Sequence, residues 1–150
     1  MTPVRRMRGA ALVVLLGLGM GGCVTPATGT DSYRGKASMS VEAAISEVES
    51  TRITVQALLD DRMLAPYADE TITASETALD SIAAAFGSVQ PPVGSDELRE
   101  TVTTLVSDAE DAVAAARIGA RRSDRVELIQ AMSQLDVVAD ELALVALELR

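Results

Sequence analysis

From Ser40 to Leu149 the apolar residues recur every three or four positions, the period of helices that each bury one face. Val41, Ala44, Ile45, Val48, Val55, Leu58, Leu59 and Met63 form the first stripe. Pro66, a residue suited to a helix's first turn, opens a second, in which Ala68, Ile72, Ser75, Leu79, Ile82, Phe86 and Val89 follow in heptad-like steps. The strongest break is "GSVQPPVGSDE" (87–97), after which Ser95 is placed to cap a third helix with Asp96 and Glu97 in its first turn. The third stripe is Leu98, Val102, Leu105, Ala109, Ala112 and Ala116. It is expected to end at Gly119, with Arg117, Arg121 and Arg122 at the carboxyl end. Ser123 or Asp124 restarts the chain, and Leu128, Met132, Leu135, Ala139, Leu142, Ala146 and Leu149 make the fourth stripe.

Four segments of about 20 to 28 residues, each roughly 30 to 42 Å long, with short turns between them, predict an all-α antiparallel up-down-up-down four-helix bundle over residues 39–150. The alternative is a long helical hairpin folded at Pro91-Pro92. Two long helices bury only two stripes, so the hairpin would need to dimerise. Ahead of the bundle, "VTPATGTDSYRGKAS" (24–38) offers almost nothing to bury and reads, together with Cys23, as a flexible linker over 23–38.

The first 22 residues have another character. Arg5, Arg6 and Arg8 precede an apolar run from Ala10 to Leu18, and small residues follow at Gly19, Gly21 and Gly22, the layout of a secretory signal peptide. Its apolar core is shorter than a spanning helix requires. Met20-Gly21-Gly22-Cys23 resembles the lipobox of bacterial lipoproteins, in which an aliphatic residue, a small residue and Gly or Ala precede the cysteine; Met20 stands where Leu is usual. The resemblance covers residues 1–23 and implies cleavage between Gly22 and Cys23 and diacylglycerol in thioether linkage on the Cys23 sulfur; in some lipoproteins of this kind an acyl chain such as palmitate is added to the new amino terminus as well. It implies a lipid-anchored protein on the outer, extracytoplasmic face of a cell membrane. Cys23 is the only cysteine, so an intramolecular disulfide is excluded.

Charge narrows the partners. Removing the leader takes the basic residues from 13 to 10 against 22 acids, a net charge of −12. Such a body repels nucleic acid and anionic lipid alike, so residence at a membrane would need the covalent anchor. Aromatics make up 2% of the chain, which leaves a core of Ala, Val, Leu and Ile and favours close helix packing. Without His or Trp, and with a single Cys, the chain lacks the residues for a Ser-His-Asp triad, a Cys-His pair or an imidazole metal site. No glycine-rich phosphate loop occurs. The reading is non-enzymatic, with no cofactor and no metal: Asp60-Asp61 and Asp108, Glu110 and Asp111 depart from the spaced acidic loop that holds calcium.

Three features remain as candidates for interaction. Arg52 falls between Val48 and Val55 and is placed either to join a polar layer with Ser75, Ser133 and Asp108 or Asp136, or to reach water from the stripe's edge. Arg117, Arg121, Arg122 and Arg125 gather at one bundle end, either neutralising local acids or binding a cell-wall polymer or an acidic protein. Val137 and Leu144 in "VVADELALVALEL" fall outside the fourth stripe and offer a surface for an envelope protein, lipid or a second copy. Together these features suggest an interaction or scaffold module at the cell envelope. The alternative is a carrier of lipid or a small hydrophobe, in a cavity opened between the third and fourth helices by Ala109, Ala112 and Ala116.

Overall fold

A computed structural model of the chain describes residues 29–150. The four stripes become four helices: α1 (Thr30–Leu59), α2 (Ala65–Gly87), α3 (Asp96–Arg122) and α4 (Arg125–Glu148). Among the described residues no strand occurs. Each helix packs against its neighbours in sequence and α4 closes the ring on α1, as the up-down-up-down order requires. The section is not square. α1 also touches α3 across the diagonal, whereas α2 and α4 do not meet. Small side chains explain the skew: α3 buries Ala109, Ala112, Ala116, Gly119 and Ala120, and α1 buries Ala37 and Ala44. The volume those alanines remove lets the two axes approach each other.

α1 starts nine residues earlier than its composition suggests, which corrects the linker expected over 23–38: residues 30–38 are helical. The cause is one aromatic pair. Tyr33 and Ala37 continue the stripe of Val41, Ala44 and Val48 at steps of four, four, three and four, and both are fully buried. The Tyr33 ring packs on Phe86 of α2 with centroids 5.5 Å apart. Burial pushes the Tyr33 phenol above its ordinary pKa, with Arg99 opposing.

The turns are built from short-range bonds. Asp61, at φ 55°, ends α1: its amide donates to the Leu58 carbonyl and the Arg62 amide to that of Ala57, a Schellman closure. Pro66 lies in the first turn of α2, as its fixed φ favours. Ser95 precedes α3 without a side-chain capping bond, so Asp96 and Glu97 carry the favourable charge at that terminus. α3 runs past Gly119, its expected end, to Arg122, and the left-handed position belongs to Ser123 at φ 51°. Gly119 is needed instead for contact: a Cβ there would lie 3.1 Å from the Leu128 amide nitrogen. Asp124 then caps α4, its Oδ1 accepting from the Val126 and Glu127 amides at 2.8 and 3.1 Å.

Candidate functional site

The helix ends show first where the arginines go. α1, α2 and α4 have no basic residue in their last turns, and each receives a guanidinium from another helix. Arg125 donates to the Leu59 carbonyl at 2.7 Å; Arg99 donates to the Val89 and Gly87 carbonyls at 2.9 and 3.0 Å; Arg34 donates to the Glu148 carbonyl. The unpaired carbonyls at a helix's carboxyl end are thereby met by positive charge, as the dipole favours. α3 supplies its own charge through Arg121 and Arg122.

The rest of the arginine cluster is held within the chain. Arg117 lies 2.7 Å from Glu76, Arg121 lies 2.6 Å from Asp69, and Arg122 lies 2.7 Å from Glu127. The first of these ties α3 to α2 with both side chains about three-quarters buried.

Arg52 takes the edge position. Its side chain is 34% exposed and grips Asp136 of α4 and Glu49 of its own helix, each at 2.6 Å, while Thr51 fills the seam between Val48 and Val55. No polar layer with Asp108 forms, since Asp108 and Ser133 are exposed on another face. Ser75 is buried, as are Thr51 and Thr54. The two threonines satisfy their hydroxyls on the carbonyls of Glu47 and Ser50 at 3.0 and 2.9 Å.

The fourth seam is rotated slightly from the expected one. Ala131 and Val138 are buried, whereas Met132 and Ala139 are half-buried. The rotation leaves Val137 and Leu144 on the outer surface, 55% and 62% exposed. They border a continuous groove between α3 and α4. One hollow of about 650 Å³ runs from Glu97 and Glu148 to Asp108 and Glu141, and a second of about 650 Å³ continues from those two past Val137 to Ala115 and Gln130. Leu105, Ala112, Val138 and Val145 give the groove an apolar floor. Four acids on α3 (Glu97, Glu100, Asp108 and Asp111) and two on α4 (Glu141 and Glu148) line its rims. No Lys or Arg lines either hollow. The charge pattern in sequence held this signal, but the residues belong to two helices whose alignment only the fold supplies.

A smaller hollow of about 340 Å³ sits at the far end of the bundle, lined by Leu58, Leu59, Met63, Leu64 and Leu128 with Arg125 at its edge. Among the described residues no set of three or more acids or thiols is arranged to hold a metal ion, and no helix is long and apolar enough to cross a membrane. Gly22 and Cys23 lie outside the described residues. No family model matches the chain, and no curated protein or solved structure is significantly similar to it.

Proposed function

We propose that this protein is a non-catalytic interaction module held at the outer face of a bacterial membrane by lipid on Cys23, and that the α3–α4 groove is the surface it presents to a partner. The lipobox-like Met20-Gly21-Gly22-Cys23 supports the anchor. The groove carries the interaction reading: it brings exposed Val137 and Leu144 beside a run of acids, with no Lys or Arg among the residues that line it. Many of the remaining charged groups are committed to helix ends and to one another, which suits a rigid display scaffold.

Anchoring would also orient the molecule. Six residues separate Cys23 from Thr30, and fully extended they span at most about 25 Å. The bundle end carrying Thr30, Gly94 and Glu148 would then stand close to the headgroups, with the groove leading outward from it.

Metabolic labelling with a clickable fatty acid tests the anchor. The wild type takes up label and fractionates with membranes, and Cys23→Ser does neither; an unlabelled wild type recovered from the culture supernatant overturns the reading. A second reading, a carrier of small hydrophobes, draws on the leucine-lined hollow beside Leu128. Native mass spectrometry with added fatty acid would show a bound adduct if it holds, and Ala120→Leu, which fills that hollow, would remove the adduct.

A further inference from the structure

We propose that the occupant of the α3–α4 groove is a cationic amphipathic helix of a partner protein, lying along the groove with an apolar seam on Val137, Leu144 and Val145 and with Lys or Arg side chains reaching both rims. The inference rests on reading the groove as the partner-facing surface and names the chemistry that fits it.

Shape is the first argument. The groove follows α3 and α4, which run antiparallel along it, from Glu97 and Glu148 at one end to Ala115 and Gln130 at the other. Between Gln130 and Glu148 a helix advances about 27 Å, so a partner helix of about 18 residues fills the length. Apolar residues on that helix at steps of three and four would meet Leu144 and Val137, which are themselves seven apart on α4.

Charge selects among possible occupants. A second copy would bring the same acids against these, and like charges in a closing interface oppose association. An anionic bilayer meets the same repulsion. A helix with two basic flanks instead finds acids on each side, Asp108 and Asp111 on one rim and Glu141 on the other.

The full-length chain in mild detergent is titrated with a synthetic helix of about 18 residues carrying a leucine seam and flanking lysines. Two controls accompany it: an isomer with the leucines scattered, and a version with Glu in place of Lys. The seam peptide is expected to bind with a Kd of order 10 μM and both controls at least about tenfold more weakly. Val137→Asp with Leu144→Asp, and separately Asp108→Lys with Glu141→Lys, should each weaken the seam peptide by about tenfold or more while circular dichroism and Tm stay near wild type. Equal binding of the scattered isomer, binding untouched by the groove variants, or no binding of the seam peptide overturns the proposal. Self-association in ultracentrifugation that Leu144→Asp abolishes assigns the groove to a second copy and overturns it as well. The fatty-acid labelling of Cys23 is independent of these readouts. Lost labelling with peptide binding intact sinks the anchored reading alone; intact labelling without peptide binding sinks this occupant alone.

Discussion

Gly35 and Gly119 are both helical glycines, and their surroundings set opposite outcomes for the same substitution. A Cβ at Gly35 meets nothing within 4 Å, so Gly35→Ala gains helix propensity and should stabilise by about 0.5–1 kcal/mol. At Gly119 the new methyl meets backbone: the Leu128 nitrogen at 3.1 Å and the Glu127 carbonyl carbon at 3.3 Å. That stretch cannot retreat easily, because the Asp124 cap and the Leu128-to-Asp124 bond of 3.0 Å pin the first turn of α4. Overpacking should outweigh the propensity gain, and Gly119→Ala is expected to cost about 1 kcal/mol net in urea unfolding. Both glycines look alike in sequence. Gly119 reads there as a helix stop; only its distance to α4 reveals that the helix passes through it.

At the scale of elements, the first two turns of α1 carry the sharpest test. A linker would be indifferent to its only tyrosine, whereas a docked helix depends on it. Tyr33→Ala should cost about 3–4 kcal/mol by removing the ring from Phe86, as for large-to-small changes in cores. Tyr33→Phe, which keeps the ring, should stay within about 1 kcal/mol of wild type, since the hydroxyl has no hydrogen-bond partner among the described residues. Thermal melts of the two variants check both statements, and equal melts of Tyr33→Ala and wild type would restore the linker. Thr30, Ser32, Gly35, Lys36 and Ser38 conceal this segment in sequence. Two buried residues spaced by four make a faint stripe, but joined to the register of Val41, Ala44 and Val48 they extend it.

For the whole molecule the governing quantity is charge. Acids are in large excess, and Glu110 is held above its ordinary pKa first by burial and then by the charges of Asp80 and Asp111. A raised carboxyl pKa means the folded state favours the protonated form. Its stabilising contribution is full below the unfolded value and is lost as pH rises through the folded one. Glu110→Gln should therefore raise Tm at pH 7, and the difference from wild type should vanish below about pH 4. Asp60 runs the other way. Arg62 and Gln56 hold it below the ordinary range, so its contribution is present above that range and fades as pH falls through the depressed value. Melting curves across this interval, with and without the Glu110 change, separate the two effects.

Periodicity in the chain was enough to determine four helices, their order and most of their inward faces, because burial of one apolar stripe per helix is a local property repeated along the sequence. Three things waited for the fold. Helix ends were decided by contacts between helices, as at Tyr33 and Gly119. The capping arginines were not legible as caps: Arg125 reads in sequence as one of a cluster and Arg99 and Arg34 lie outside that cluster, yet each serves the carboxyl end of a helix other than its own. The groove, finally, needs Asp108 beside Glu141 and an apolar floor between them, and those positions are 33 residues apart in the chain. Side chains that far apart become neighbours only when two helices choose a register, and that choice is made by the whole core at once.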